Sequence, residues 1–195
     1  SMRYRFSPAS RLALVVAIVA HLIAACTPAN NSDSPGLVKT DPAADTYVQL
    51  ARTYLSRGNT MVAFENAQKA VATDPKSVEG HTIMGLILQS RGDSNNAAKH
   101  YVKAKKLAPY DPFVSNAYGT YLCSNGLYGE ADREFLTASK SPLNQAPWVA
   151  LTNAGLCYER NGQYAMARQR LQSALALNSK FSQASEALKR LHGRG

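Results

Sequence analysis

The sequence predicts an all-α protein, a right-handed superhelix of paired antiparallel helices that ends in a C-terminal capping helix. Glycines recur at intervals of 34, 34 and 36 residues, at Gly58, Gly92, Gly126 and Gly162. Alanines follow each glycine at two fixed distances, at Ala63, Ala97, Ala131 and Ala167 and then at Ala70, Ala104, Ala138 and Ala174. Four units that share this pattern indicate a repeat array in which each unit packs only on its neighbours.

The residue types at the repeated positions explain why each unit should be a helical hairpin. The eighth position of each unit is small, at Ala51, Gly85, Gly119 and Gly155. Small residues there let two helices approach closely, and the glycine turn allows a backbone conformation that side chains penalise. Pro75 and Pro109 end the second helix of their units. This is the spacing of the tetratricopeptide repeat (TPR), a pair of antiparallel helices per unit.

The repeat pattern sets the predicted domain organisation. The units run over residues 44–77, 78–111, 112–147 and 148–181. Residues 182–192 are predicted to form the capping helix, with Ala184, Leu188 and Leu191 facing inward to cover the last apolar face. The third unit holds two extra positions, which we expect to lengthen a loop or to shift the start of a helix.

The first 25 residues have the pattern of a signal peptide. Arg3, Arg5 and Arg11 precede an apolar run over residues 12–25. A helix of 14 residues would be about 21 Å long, which is too short for a hydrocarbon core of about 30 Å. We therefore interpret the run as a cleaved signal, and Ser1 before Met2 as a cloning remnant.

The end of this signal resembles a bacterial lipobox. Ile23-Ala24-Ala25-Cys26 places small residues before a cysteine, which implies lipidation of Cys26; an ordinary secretory signal that ends near a cysteine is the alternative. Thr27 follows, and by the same resemblance it suggests sorting to the outer membrane, facing the periplasm. Residues 26–43 are small, polar and rich in proline, and they are predicted to form a flexible tether.

Composition and charge exclude several classes of protein. Hydrophobic residues make up 45% of the chain, which excludes disorder throughout, and a single long apolar run excludes a polytopic membrane protein. The formal net charge is +9, from 22 basic and 13 acidic residues. Because the basic residues are dispersed along the sequence, we expect a solvated helical surface and no binding of nucleic acid.

No residue pattern supports catalysis, a cofactor, a metal site or a small-molecule substrate, and we do not expect an enzyme. His81, His100 and His192 occupy unrelated repeat positions without ligands at metal-binding spacing. His81 takes a packing position, and His100 is predicted to lie on an exposed helix face. Every glycine is accounted for by a helix turn or by close packing, so no phosphate-binding loop is indicated.

Cys123 and Cys157 lie late in the first helices of adjacent units. An export signal would place them in an oxidising compartment, which favours a disulfide. The bond needs Cα atoms within about 7 Å, whereas packed helices stand about 8–10 Å apart, so only a close crossing would allow it. Two buried free thiols are the alternative.

The usual geometry of this repeat predicts a concave groove lined by the first helix of each unit. Its candidate partner-binding residues are Val48, Arg52, Leu55, Thr82, Leu86, Gln89, Phe113, Asn116, Thr120, Thr152, Leu156 and Glu159. This face mixes apolar side chains with uncharged polar ones, which suits a peptide or helix of a protein partner. For any single residue, packing between units is the alternative. Val48, Ile83 and Ala117 stand where the carboxylate clamp of chaperone-binding TPR proteins needs polar or basic groups, which excludes that activity.

The third and fourth units resemble one family closely. The stretches that carry the resemblance are Asn116-Ala117-Tyr118-Gly119-Thr120-Tyr121-Leu122-Cys123 and Leu151-Thr152-Asn153-Ala154-Gly155-Leu156-Cys157-Tyr158-Glu159-Arg160-Asn161-Gly162-Gln163-Tyr164. With the lipobox and tether, they look like the PilF/PilW lipoproteins of type IV pilus biogenesis. The resemblance implies an outer-membrane pilotin that binds the secretin subunit and promotes its localisation and multimerisation. The alternative is a lipoprotein adaptor that recruits cell-wall hydrolases or other envelope-assembly proteins.

Overall fold

The structure is a computed structural model that describes residues 41–193. Within these residues the chain forms nine helices and no strand. The helices are α1 (Pro42–Ser56), α2 (Thr60–Thr73), α3 (Val78–Ser90), α4 (Ser94–Leu107), α5 (Pro112–Ser124), α6 (Tyr128–Lys140), α7 (Pro147–Arg160), α8 (Tyr164–Leu177) and α9 (Ser182–Arg190). None of these helices combines the length and the apolar character that crossing a membrane requires.

Each predicted unit contains one hairpin, and the helices of each hairpin pack on each other: α1 on α2, α3 on α4, α5 on α6 and α7 on α8. The all-α class is therefore confirmed for the described residues.

The first helix of the array begins earlier than predicted. The Asp41 side chain accepts a hydrogen bond of 2.8 Å from the amide of Ala43, and Pro42 supplies a φ suited to a first turn. The predicted tether is thus wrong for residues 42–43, which are helical, while residues 1–25 and 26–40 lie outside the described residues.

The repeated glycines form the turn inside each hairpin. Gly58, Gly92, Gly126 and Gly162 have φ values of 76°, 80°, 78° and 72°. An added Cβ at these glycines would meet no atom within 4 Å, so the requirement for glycine comes from the backbone conformation and not from crowding.

The small residues at the eighth position serve close packing, as predicted. A Cβ on Gly85 would lie 2.8 Å from the ring of Tyr101, and one on Gly119 would lie 2.9 Å from the ring of Phe135. Ala51 holds the corresponding place in the first hairpin and is fully buried. The second, third and fourth hairpins therefore pair a glycine on the first helix with a large side chain on the second, which in the fourth hairpin are Gly155 and Leu171.

The contacts between hairpins define an inner and an outer row of helices. Consecutive first helices pack on each other (α1 with α3, α3 with α5, α5 with α7, and α7 with α9), whereas among the described helices the backbones of the second helices do not come into contact with one another. The first helices consequently form the inner, concave row, and α2, α4, α6 and α8 form the outer, convex row. At the end of the array α9 packs on α7 and α8. Its Ala184, Ala187 and Leu191 are buried in a cluster with Leu171, which agrees with the predicted cap.

A disulfide joins Cys123 of α5 to Cys157 of α7, with Cα atoms 5.9 Å apart. Cα atoms on the facing sides of two packed helices lie nearer to each other than the helix axes do, and this distance is within the range that a disulfide needs. Of the two alternatives that the sequence leaves open, the structure contains the bonded one.

Candidate partner-binding groove

The inner row of first helices presents the groove. Nine of the predicted groove residues are exposed or half-buried there: Arg52, Leu55, Leu86, Gln89, Phe113, Asn116, Thr120, Leu156 and Glu159. Their exposed atoms can contact a partner. Several of these side chains also form contacts within the protein, as described below.

Three predicted groove residues are buried, and their assignment to the partner surface is wrong. Val48 is 2% exposed, and Thr82 and Thr152 are fully buried. The Thr82 hydroxyl donates to the Val78 carbonyl, and the Thr152 hydroxyl donates in the same way four residues back, each at 2.8 Å. These three residues share one position of the repeat, and their small β-branched side chains pack between adjacent helices. The third unit has Asn116 at that position, and Asn116 is half-buried. The recurrence of β-branched residues in three of the four units was the signal available in the sequence.

A cluster of charged and aromatic side chains connects the first helices of three units. The Arg52 guanidinium of α1 forms an ion pair with the Glu79 carboxylate of α3. The same guanidinium lies 5.6 Å from the centre of the Phe113 ring of α5, which suits a cation–π contact. Burial raises the pKa of Glu79, Arg52 opposes that rise, and the negative charges of Asp111 and Asp45 add to it. The cluster holds Phe113 at the groove surface.

Amide side chains connect the inner helices further along the groove. Gln89 accepts a hydrogen bond of 2.8 Å from the Tyr101 hydroxyl and donates one of 3.1 Å to Ser124 Oγ. Asn153 Nδ2 donates to Asn116 Oδ1 at 3.0 Å. Asn153 and Ser124 are not among the predicted groove residues, because each lies one helical position beyond the predicted groove register. These bonds fix the spacing of α3, α5 and α7 at the groove floor.

A hollow of about 260 Å³ lies where α5 and α7 meet the loop between α6 and α7. Its lining is mostly apolar: Pro112, Phe113, Asn116, Leu143, Asn144, Ala146, Val149 and Ala150. Asn144 shapes the loop, since its Nδ2 donates to the Ala138 carbonyl at 2.8 Å and its Oδ1 accepts from the Ala146 amide at 2.9 Å. The loop that contains the two extra positions of the third unit therefore forms one wall of the hollow, and Leu143 of this loop is 69% exposed at its edge.

A second hollow of about 230 Å³ continues along the same two helices beside the disulfide. Thr120, Asn153, Leu156 and Arg160 line it together with Cys123, Cys157 and Phe135. We call the two hollows together the α5–α7 seam. Each is smaller than the roughly 300–1,000 Å³ of a typical small-molecule pocket, and a partner's side chain is a better match in size.

The structure also brings together two histidines that the sequence analysis treated as unrelated. His81 Nδ1 of α3 lies 2.9 Å from His100 Nδ1 of α4, and His81 Nε2 lies 3.1 Å from the Pro75 carbonyl. Burial lowers the pKa of both imidazoles. The prediction that His100 is exposed is wrong, because it is half-buried against His81. Within the described part of the chain, no three His, Cys, Asp or Glu side chains converge as metal ligands would.

The array of hairpins with an inner groove defines a TPR protein, the class that the spacing of the sequence predicts. The crystal structure of YrrB, described as a TPR protein with an unusual peptide-binding site, superposes with a TM-score of 0.61 at 20% sequence identity. The match covers 75% of this chain and 75% of YrrB, and at that identity it shows the fold alone. No protein-family model matches the chain.

Closer relatives define the family. PilF of Pseudomonas aeruginosa, a type IV pilus assembly protein, is 32% identical over 138 residues. The structure of P. aeruginosa PilF superposes with a TM-score of 0.70 at 30% identity, over 76% of this chain and 67% of that one. PilW, a widely conserved type IV pilus biogenesis factor, superposes with a TM-score of 0.72 at 25% identity, over 78% and 70% of the two chains. The chain therefore belongs to the PilF/PilW family of TPR proteins.

The relatives differ in how much of their length is matched. The alignment with curated PilF covers 71% of this chain but 55% of PilF, so the chain spans just over half the length of that relative. An uncharacterised protein of Haemophilus influenzae is 27% identical over 158 residues, which make up 81% of this chain and 88% of that protein.

Proposed function

We propose that the chain is an outer-membrane lipoprotein, facing the periplasm, that acts as a pilotin in type IV pilus biogenesis. Its relatives PilF and PilW are proteins of pilus assembly and biogenesis, which supports the process. The lipobox-like sequence at residues 23–26 supports an anchor on Cys26, which lies outside the described residues. The secretin subunit is the partner in this proposal, and assisted localisation and multimerisation of the secretin are the outcome.

The α5–α7 seam is the surface that we assign to the partner. Phe113, Leu143 and Val149 offer apolar contacts around one hollow, and the amide of Asn116 lies at its edge. Partner segments usually bind such surfaces by inserting a few apolar anchors inside a polar rim. The observation that carries the assignment is the loop of the third unit, which adds an exposed leucine to a hollow that the regular repeat would lack. The proposed role is binding, without a chemical reaction.

The substitution Leu143→Asp tests the seam. It places a charge in the apolar hollow without disturbing packing, because Leu143 is 69% exposed. A buried anchor contact typically contributes about 2 kcal/mol or more, so we expect binding of the secretin to weaken by at least about 30-fold. The matched control is Leu177→Asp, since Leu177 is 55% exposed and lies at the end of α8, outside the seam.

The readout is the amount of SDS-resistant secretin multimer in cells that lack the protein and carry each variant. Wild-type chain and Leu177→Asp should restore the multimer, and Leu143→Asp should not. Affinity capture from solubilised envelopes adds the identity of the partner. Unchanged multimers in the deletion strain would contradict the secretin assignment. Enrichment of cell-wall hydrolases in place of secretin would favour the adaptor function. If Leu143→Asp restored the multimer as well as Leu177→Asp does, the α5–α7 seam would be excluded as the binding surface.

A further inference from the structure

The outer row of helices carries a concentration of positive charge. Six basic side chains of α2, α4 and α6 are exposed: Lys69, Lys99, Lys103, Lys106, Arg133 and Lys140. Two acidic side chains of the same helices are exposed, Glu65 and Glu130. The other two carboxylates, Asp132 and Glu134, are engaged with Arg170 and Lys105. Basic residues that are dispersed along the sequence therefore occupy exposed positions of these three helices.

Repeat geometry explains why these residues gather. Lys99, Lys103 and Lys106 are spaced by four and three residues, which places them on one face of α4. Lys69 precedes Lys103 by 34 residues, and Arg133 and Lys140 follow Lys99 and Lys106 by the same interval. Equivalent positions of successive units face the same side of the array. Charges that are far apart in the sequence thus form one outer surface centred on α4, which we call the basic face.

The charges of the basic face are available to a partner. Every ion pair within residues 41–193 uses a cation from outside this set, namely Arg52, Lys105, Arg170 or Arg190. Lys99 donates a hydrogen bond of 3.1 Å to Asn96, a neutral side chain, and Lys69 lies 5.9 Å from the Tyr47 ring. Neither contact neutralises a charge.

The composition of the basic face favours a fluid anionic surface over a structured ligand. Five of the six cations are lysines, which act as point charges without the fixed fork that arginine uses for bidentate recognition. Single-stranded nucleic acids and tight protein partners usually need exposed aromatic side chains for stacking or anchoring. Every aromatic side chain of α2, α4 and α6 is buried or half-buried. Val102, 39% exposed beside Lys103, adds an aliphatic contact of the kind that headgroup regions accept.

We propose that the basic face of α2, α4 and α6 is an electrostatic docking surface for an anionic phospholipid bilayer, centred on Lys99, Lys103 and Lys106. Each lysine held near such a surface strengthens binding by about fivefold at moderate salt. Loss of the three central lysines should therefore weaken binding on the order of 100-fold. The proposal goes beyond the pilus function, because it needs neither a pilus partner nor the lipid on Cys26.

The test uses purified residues 41–195, which contain every residue of the three buried clusters of the array. Helical circular dichroism and a cooperative urea transition of each protein are recorded before binding is measured. Binding is measured by co-sedimentation with vesicles of phosphatidylglycerol and phosphatidylcholine, and with vesicles of phosphatidylcholine alone. The first variant replaces Lys99, Lys103 and Lys106 with Gln, and a second replaces them with Arg. The control removes equal charge elsewhere, by Arg57→Gln, Lys180→Gln and Lys189→Gln, all exposed and outside the basic face.

We expect the wild-type chain, the Arg variant and the control to bind only the anionic vesicles, less tightly as salt increases, and the Gln variant to lose binding. Failure of the wild-type chain to bind anionic vesicles would overturn the proposal. An equal loss in the control would also overturn it, because net charge and not the basic face would then be responsible. Tighter binding to double-stranded DNA than to the vesicles at the same salt would reassign the face to nucleic acid.

Discussion

At the scale of single residues, the imidazoles of His81 and His100 fill the space between α3 and α4, with ring centres 5.1 Å apart. The Pro75 carbonyl can only accept, so His81 carries its proton on Nε2 and receives a hydrogen bond on Nδ1 from His100 Nδ1–H. A second proton on His81 would set two N–H groups against each other. These two hydrogen bonds therefore require His81 to be neutral.

This pair predicts how stability depends on pH. Burial lowers the pKa of both imidazoles below the usual 6.5, and Lys103 lowers that of His81 further, while the bond to Pro75 and the charge of Asp74 oppose the shift. The unfolded chain then binds more protons than the folded chain below pH 6.5. The contribution to stability is complete above that pH, and it is lost as the pH falls through the lower pKa values of the folded state.

We expect the free energy of unfolding in urea to fall between about pH 7.5 and about pH 5, and to fall less in His100→Gln. Carboxylates such as Glu79 titrate in both the wild-type chain and the variant. Their effect on the free energy of unfolding therefore cancels in the difference between the two proteins. His192→Gln alters an exposed residue near the C-terminus and should keep the wild-type change. An undiminished fall in His100→Gln would show that the pair is not its cause.

At the scale of elements, each hairpin depends on a glycine turn and a close helix contact, and the hairpins are joined by ion pairs that cross units. Asp132 of α6 receives two hydrogen bonds from Arg170 of α8, at 2.8 and 2.7 Å. Lys105 of α4 lies 2.8 Å from Glu134 of α6 and donates to Ser115 of α5 at 3.0 Å. These bonds connect helices of the outer row that do not pack on each other directly.

Gly126 and Gly129 lie close to the same turn but differ in backbone conformation. Substituting each of them shows how much stability depends on that conformation. Gly126 has a φ of 78°, whereas Gly129 lies in α6, and neither would place a Cβ within 4 Å of another atom. We expect Gly126→Ala to reduce the free energy of unfolding by about 1–2 kcal/mol, because side chains disfavour the left-handed region. Gly129→Ala should be neutral or stabilising by less than about 1 kcal/mol. Urea unfolding measures both, and equal losses would contradict the turn argument.

At the scale of the whole molecule, the array behaves as a line of units held by nearest-neighbour contacts, with α9 covering one end. Leu191 is fully buried beneath that cap, in the cluster that contains Leu171 and Ala174. The groove and the basic face occupy opposite sides of this line. A partner in the groove and a bilayer on the outer row could therefore be bound at the same time.

Leu191→Ala tests the linear organisation. Truncation of a buried leucine costs about 2–5 kcal/mol. Because each unit contacts only its neighbours, we expect hydrogen exchange to accelerate most in α7, α8 and α9, and least in α1 and α2. Leu177→Ala, at an exposed site, should change stability by less than about 0.5 kcal/mol. Uniform acceleration along the chain would show a single cooperative unit instead.

The repeat, the hairpins, the cap and the family could all be predicted from the sequence, because spacing, turn glycines and small residues act locally and recur in every unit. Nine of the predicted groove residues are exposed or half-buried on the first helices, and their role in binding a partner stays a prediction. The predicted groove wrongly includes Val48, Thr82 and Thr152 and omits Asn153, because one helical position decides whether a side chain points into the groove or between helices.

Contacts between residues that are distant in the sequence became visible in the packed helices alone. The close crossing of α5 and α7 joins Cys123 to Cys157, and the packing of α3 on α4 brings His81 to His100. The loop with the two extra positions of the third unit forms a wall of one hollow, and lysines from three units lie on one charged face. In each case the outcome depends on how neighbouring helices are oriented, which is a property of the packed array and not of any local stretch of sequence.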